Sequence, residues 1–433
     1  MSDMLNPCIK AKQAAIKSAA SSEQVRNDAL KAAAEALLTN KSQIFAANEA
    51  DLERSRNENL AEPLIKRLKF DDKKLVTVVD GIMSLADMPD PINQTLLARE
   101  LSPGLELYKV SCPIGVIGII FESRPDALVQ ISSLCLKSGN AVLLKGGSEA
   151  MLTNKALYDV IYKATVEAGM PGGWMTLLET REEVSEMLKM DSYIDLVVPR
   201  GSNQFVKYIM DHSNIPVLGH AEGVCHVYVD ESADINKAVP VCVDAKVQYV
   251  AVCNAMETLL VHEKTAPAFL PALKRAMEEA NVRLLGCEKT RMHIDVQAAT
   301  DADWDTEYLD YVLSVKVVGS VEEAMDHINT HGSRHTDSIL SNNEQNIRKF
   351  VSGVDSAGVY VNCSTRFADG YVYGYGAEVG IGTGKIHSRG PVGMEGLLIY
   401  KYVLVGNGHK KGDFAPGELE FTHRDLDKDC PYL

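Results

Sequence analysis

No stretch of this 433-residue chain is apolar for long enough to cross a bilayer. The longest near the middle, Pro113 to Phe121, falls far short of the roughly 20 residues a spanning helix needs. The amino terminus lacks the apolar core of a signal peptide, so a soluble cytoplasmic protein is expected. Basic residues are in deficit: 44 Lys and Arg face 59 Asp and Glu, a net charge of −15. That excludes a general nucleic-acid binder, because neutralising phosphates needs a basic face. The nine cysteines are odd in number and show no Cys-x-x-Cys spacing, which argues against a disulfide framework and for a reducing compartment. His220, His226, His262, His335 and His387 are scattered without metal-ligand spacing, so no metal is expected. Walker A and Gly-x-Gly-x-x-Gly motifs are both missing. What remains is ordinary globular composition, 46% hydrophobic and 24% charged, in a chain long enough for two or three domains.

Alanine, leucine, lysine and glutamate recur at helical spacing over residues 9–39, and more helix is expected to about Met88. The pattern then changes. Thr95–Glu100 and Leu105–Val110 flank Ser102-Pro103-Gly104, a hairpin signal. A βα alternation follows: strands at Ile114–Phe121, Ala141–Leu144, Met175–Leu178, Ile194–Val198 and Val224–Val229, with helices between them. A second α/β region is expected after the helix around Ile235–Val247, with strands at Glu257–His262, Arg283–Leu285, Val315–Val318 and Val359–Asn362. Such alternation implies largely parallel sheets covered by helices. Glycines concentrate between Gly370 and Gly393, and a last strand is expected near Leu397–Val403.

Two strand-to-helix junctions suit phosphate. Lys145-Gly146-Gly147-Ser148 offers helix-start N–H groups, a cation and room for a bulky anion. Gly201-Ser202 is the second. Each alone reads equally well as a plain turn; two on one βαβ sheet favour a dinucleotide at the carboxyl ends of the strands. Among the cysteines, Cys135, Cys225 and Cys242 sit in apolar periodic segments and read as core. Cys8 and Cys430 lie near the termini, Cys112 and Cys287 have no helpful neighbours, and Cys363 is the one rival to Cys253. Cys253 falls in Val252-Cys253-Asn254-Ala255, a run of small residues ahead of a buried strand that a substrate can reach. On local context, nucleophile and buried structural cysteine are equal readings. His335 heads a polar string, His335-Thr336-Asp337-Ser338, suited to a ligand or a capped turn. Arg124, Arg200, Arg366, Lys385 and Arg389 occupy turn-like stretches and together suit an anion site, though solvated loops are the usual place for such residues.

Four stretches carry a resemblance. They are Pro113–Gly118 with Glu122-Ser123-Arg124-Pro125, Cys253–Leu259, Val361–Phe367, and Gly376–Gly380 continuing through Lys385-Ile386-His387 to Arg389-Gly390-Pro391. In these the chain resembles the γ-glutamyl phosphate reductases, a proline-biosynthetic branch of the aldehyde dehydrogenase superfamily, over nearly its whole length. The resemblance implies an aldehyde dehydrogenase-like α/β fold with two parallel-sheet α/β domains plus a β-hairpin oligomerisation flap. The expected bounds are residues 1–94 and 111–240 for the cofactor-binding domain, 241–375 for the catalytic domain, 376–395 for a glycine-rich return to the active-site region, and 95–110 with 396–433 for the flap.

By the same resemblance Lys145, with Gly146, Gly147 and Ser148, would meet the adenosine ribose or its 2′-phosphate. Gly201 and Ser202 would approach the pyrophosphate, and Glu307 would hold the nicotinamide ribose. Cys253 becomes the nucleophile; its backbone N–H, Ser123 or Asn254 would serve the oxyanion. Arg366 is assigned to the substrate α-carboxylate, Arg124 and Lys385 to its phosphate, and His335 and Arg389 to the substrate pocket. Gly219 stands where hydrolytic relatives carry a glutamate base, with Glu222 out of register, as a reductase needing no activated water allows. Cys363 replaces a usual alanine, and Val250 a frequent proline.

The implied activity is NADPH-dependent reduction of L-glutamyl 5-phosphate to L-glutamate 5-semialdehyde, with phosphate release and a Cys253 thioester. The competing readings are a hydrolytic NAD(P)-dependent aldehyde dehydrogenase and a catalytically silent nucleotide-binding member. A cysteine hydrolase fits less well, since no histidine is evidently placed as its base. A homodimer or higher homo-oligomer is expected, with a glutamate 5-kinase as possible partner and no kinase segment in this chain.

Overall fold

A computed structural model describes residues 4–414 and 420–433, apart from Ser123, Gly376 and the side chain of Pro63. The helical lead-in is five helices, Leu5–Ala19, Glu23–Thr39, Lys41–Asn57, Glu62–Leu68 and Asp72–Asp87. Within the helical spacing of residues 9–39, Ser22 marks a break between two helices. Its backbone is extended and its hydroxyl accepts from Val25 N at 3.4 Å, an N-cap that begins a new helix. Ala29, Leu30, Ala33, Ala34 and Leu37 then turn one face of that helix into the core of the first domain.

Strands β1 (Thr95–Ser102) and β2 (Leu105–Pro113) form the expected antiparallel hairpin. Gly104, at φ +75°, supplies the left-handed turn residue. The chain next lays down β3 (Val116–Ile120), β4 (Ala141–Lys145), β5 (Met175–Leu178) and β6 (Leu196–Pro199), a parallel sheet in the order β5-β4-β3-β6. Strands β3 to β5 step outward in one direction and β6 returns to the other side of β3. The topological switch point therefore lies between β3 and β6, and their carboxyl ends open a crevice there.

A second, seven-stranded parallel sheet contains β7 (Cys225–Val229), β8 (Met256–His262), β9 (Arg283–Gly286), β10 (Gln297–Ala298), β11 (Val312–Val318), β12 (Thr336–Leu340) and β13 (Gly358–Val361). Its order is β10-β9-β11-β8-β7-β12-β13. Val227 and Val229 face one apolar cluster and Tyr228 the other, as period-2 alternation in a doubly covered sheet requires. The expectation that Val224–Val229 belongs with the cofactor domain, ending at 240, is corrected here. Strand β7 pairs in parallel with β8 and β12, so the boundary between sheets falls between Pro199 and Cys225. Alternation identifies a strand, but only tertiary contact selects its partners.

The glycine-rich stretch forms a small antiparallel pair, β14 (Gly380–Gly382) and β15 (Gly390–Val392), and Val379, Val392, Met394 and Leu397 return to the first domain's core. Strand β16 (Leu398–Val405) adds to β2, and β17 (Arg424–Asp425) to β1, giving a flap sheet ordered β16-β2-β1-β17. Among the described residues, no helix is long and apolar enough to cross a membrane.

Candidate active site

Cys253 lies in the turn just ahead of β8, closed by Ala255 N donating to Val252 O at 3.1 Å. Every residue of β8 is buried, so the strand holds the turn rigidly. Gly223 packs backbone against backbone here: a Cβ at that position would lie 2.1 Å from Cys253 O and 2.5 Å from its Cα. Cys225 Sγ–H donates to the same carbonyl at 3.3 Å. Asn254 Nδ2 donates to Ala368 O at 2.9 Å, and Thr365 Oγ1 donates to Asn254 O at 2.7 Å. Asn254 thus clamps the turn to the Thr365–Phe367 segment, with one of its two side-chain N–H groups on the Ala368 carbonyl. The Ser123 expectation lies outside the described residues.

His335, immediately ahead of β12, is 1% exposed and places Nε2 3.2 Å from Cys253 Sγ. The tautomer with Nδ1–H donating to Thr336 Oγ1, 2.9 Å away, leaves Nε2 to accept from the thiol. The sequence offered no histidine as a base, and this pairing corrects that: 82 residues separate the two partners, and the parallel order β8-β7-β12 brings their strand starts together. His220 approaches His335 edge-on with ring centroids 5.2 Å apart, and its Nδ1–H donates to Ile381 O at 2.9 Å.

Burial, followed by the nearby Glu307 and Glu378 carboxylates, pushes the Cys253 thiol up to about 12, against the pull of Arg366. Burial, then His220, holds His335 down at about 3, so the imidazole is neutral. The resting pair is S–H···N.

Across from the thiol stand the carboxyl ends of β3 and β6. Arg200 follows β6, partly buried; burial lowers its pKa, while Glu378 and the Cys253 sulfur raise it and Arg124 lowers it further. Glu378 Oε2 accepts from Gly370 N at 2.9 Å. Glu307 accepts from Asn203 Nδ2 at the start of the helix Asn203–His212, so this loop glutamate spans the two domains. Its loop is anchored: Leu309 N donates at 3.2 Å to Glu257 of β8, whose carboxylate pairs with Lys246, both side chains fully buried. His220, Glu378 and the Lys246–Glu257 pair were not singled out as site residues by their local sequence.

A cleft of about 610 Å³ lies at the carboxyl ends of β3 and β4, lined among others by Glu122, Lys145, Gly146, Gly147, Glu149, Arg181 and Tyr208. Glu122 links the two phosphate-suited loops: it lines this cleft with Lys145–Ser148 and accepts from Ser202 N–H. A Cβ on Gly146 would lie 2.1 Å from Asn154 Nδ2, and one on Gly201 2.9 Å from the Glu122 carboxylate, so those side-chain ends would have to move to admit one. These tight backbones, the Ser202 N-cap position and Lys145 fit a dinucleotide. Two carboxylates also sit here: Glu122, raised by burial and held by Ser202 N–H, and Glu149, which a Cβ on Gly147 would meet at 2.0 Å. Lys145 Nζ donates to Gly146 O and is pulled down by burial.

The expected substrate cations divide. Arg366 lies near enough to act on Cys253 and donates Nε–H to Gln248 Oε1 at 2.9 Å. Arg124 and Arg200 share one electrostatic neighbourhood. Lys385 and Arg389 both pair with Asp355, at 2.7 and 3.1 Å, two cations on one carboxylate. Glu222, the out-of-register candidate base, is exposed. Cys363 is half-buried, its carbonyl accepting from Ser338 Oγ at 2.7 Å.

The sequence profile of the aldehyde dehydrogenase family matches residues 6–298. The chain is 61% identical to γ-glutamyl phosphate reductase of Acetivibrio thermocellus, with 97% of each covered. It is 60% identical to that of Pelotomaculum thermopropionicum, over 99% of this chain and 98% of the relative. The crystal structure of γ-glutamyl phosphate reductase from Thermotoga maritima superposes with a TM-score of 0.92 at 41% identity, covering 95% of this chain and all of that one. A propionaldehyde dehydrogenase of Rhodopseudomonas palustris shares the fold at 15% identity, TM-score 0.61, with 92% and 96% covered.

Proposed function

The chain belongs to the γ-glutamyl phosphate reductase branch of the aldehyde dehydrogenase family, and from that premise we propose that it reduces L-glutamyl 5-phosphate to L-glutamate 5-semialdehyde. Phosphate is released, the acyl group is carried as a thioester on Cys253, NADPH is the reductant, and the step serves proline biosynthesis. One observation carries this reading: the Cys253 thiol is bonded to a neutral buried imidazole, in a chain that also holds a glycine-walled cleft at the carboxyl ends of β3 and β4.

The Cys253 sulfur attacks the acyl carbon, the C–S bond forms and the acyl C–O bond to phosphate breaks. Its proton passes to His335 Nε2. With the thiol near 12 and the imidazole near 3, the transfer waits until carbon begins to take the sulfur's electron pair. The Cys253 backbone N–H is the donor for the developing oxyanion. A nicotinamide cofactor, when bound, supplies the hydride that reduces the thioester. The thiohemiacetal then collapses, and His335 returns its proton to the departing thiolate. Arg366 takes the substrate α-carboxylate; Arg124 and Arg200 take the phosphate. Lys145 and Arg181 favour a 2′-phosphate in the cleft, with Glu149 opposing, which makes the NADPH-to-NADH ratio of kcat/KM a direct readout of that balance.

A glutamate 5-kinase supplies the labile acyl phosphate. The outer edge strand β16 exposes Tyr400, Tyr402 and Leu404, supporting a homodimer through the flap. The test is NADP⁺ reduction with glutamate semialdehyde at varied phosphate, beside Cys253→Ser. Strict phosphate dependence, and loss of activity in the variant, are expected. Vigorous turnover without phosphate would favour a hydrolytic aldehyde dehydrogenase and defeat this reading.

A further inference from the structure

His220, Cys253 and His335 each present a ligand atom, and the three atoms lie within 4.8 Å of one another. The orientation of the rings is fixed by hydrogen bonds. His220 Nδ1 is engaged with Ile381 O and His335 Nδ1 with Thr336 Oγ1, so both Nε2 atoms are left toward the sulfur. A carbonyl or hydroxyl on the far nitrogen is how proteins orient metal-binding imidazoles. Zinc bonds of about 2.0–2.3 Å at tetrahedral angles separate ligand atoms by roughly 3.3–3.7 Å. The His335–Cys253 separation, 3.2 Å, lies just under that spacing, and the other two contacts, within 4.8 Å, need to close by at most about 1.5 Å. The Glu307 carboxylate acts on both Cys253 and His220, and Glu378 acts on Cys253, adding negative potential that favours a cation. These three residues lie in different parts of the chain, so no spacing in the sequence announces them.

We propose that His220, Cys253 and His335 form a three-ligand zinc site, and that Zn²⁺ held there reversibly silences the nucleophile. Binding replaces the Cys253 S–H bond by a Zn–S bond and releases the proton to water; no redox change occurs. Two neutral imidazoles complete the protein ligands, and water fills the fourth position. The sulfur lone pairs that would attack the acyl carbon are then committed to the metal. The site is independent of what the enzyme reduces, because it needs only the geometry of the resting thiol.

The test uses the full-length protein, metal-stripped, with Zn²⁺ or Co²⁺ as the only probe. One Zn²⁺ per chain should bind in competition with a colorimetric chelator. It should protect Cys253 from iodoacetamide, mapped by peptide mass, and the protection should vanish on adding EDTA. Co²⁺ should give a thiolate-to-metal charge-transfer band that Cys253→Ser lacks. His220→Ala, or His220→Gln if the first variant folds poorly by circular dichroism, should weaken Zn²⁺ binding by at least about 10–100-fold. Sub-stoichiometric zinc with unprotected Cys253, or equal affinity in the His220 variants, overturns the site. None of these readouts requires turnover, so a chain that failed to reduce glutamyl phosphate would still report on the metal.

Discussion

Gly223 shows how much of this site rests on a missing side chain. An added methyl would sit 2.1 Å from the Cys253 carbonyl, a backbone atom that cannot step aside as a flexible side chain would. Gly223→Ala should keep the fold, checked by circular dichroism, while shifting the sulfur by a fraction of an ångström to an ångström. The expected loss in kcat is about 10²-fold, since misplacement of that order carries such a cost. His335 makes a different contribution. His335→Gln retains a hydrogen-bonding group beside the thiol but removes the base, so kcat should fall by about 10²–10⁴-fold with KM little changed. A rise in KM at constant kcat would instead make His335 a substrate-binding residue, as its sequence position first indicated. The thiol motif is visible in the chain because small residues ahead of an apolar strand are local. Its imidazole partner is not, because nothing near His335 distinguishes it from a turn cap.

Strands β7 and β12 are tied at their carboxyl ends by one carboxylate. Asp230 accepts from Ser341 Oγ at 2.7 Å, Ser232 Oγ at 2.9 Å, Asn346 Nδ2 at 2.9 Å and Tyr228 Oη at 3.1 Å. Burial alone would raise its pKa, but the hydroxyl and amide donors outweigh that and hold it below the usual value. The unfolded chain then binds the proton more readily than the folded one. Stability from Asp230 is complete above the ordinary aspartate pKa of about 3.9 and is lost as pH falls through the lower folded value. Asp230→Asn should cost about 1–3 kcal/mol at neutral pH, because its amide turns donors toward donors. Urea unfolding at pH 7 and pH 3 checks it: the difference between wild type and variant should shrink at the acid end. A constant difference would mean the effect is packing. The hairpin and both sheets were foreseeable from periodicity and turn residues, whereas Ser22 as a helix break needed its cap geometry.

Assembly of the molecule puts the amino ends of β8, β7 and β12 opposite the carboxyl ends of β3 and β6, and Glu307–Asn203 crosses the gap. The flap ends this arrangement with an open edge. Tyr402→Lys combined with Leu404→Lys should leave the monomer folded but lower the mass seen by sedimentation equilibrium to that of one chain. An unchanged mass would place the oligomer contact on another surface.

Periodicity and turn residues were enough to set the α/β class and the hairpin, and the Cys253 stretch to single out a reachable thiol, since each is encoded by neighbours a few residues apart. Tertiary contact alone chose which sheet received β7, which histidine met the sulfur, and that Asp355 would claim Lys385 and Arg389. Those outcomes depend on pairings across tens to hundreds of residues, where the energy of a contact belongs to two distant positions and is written at neither.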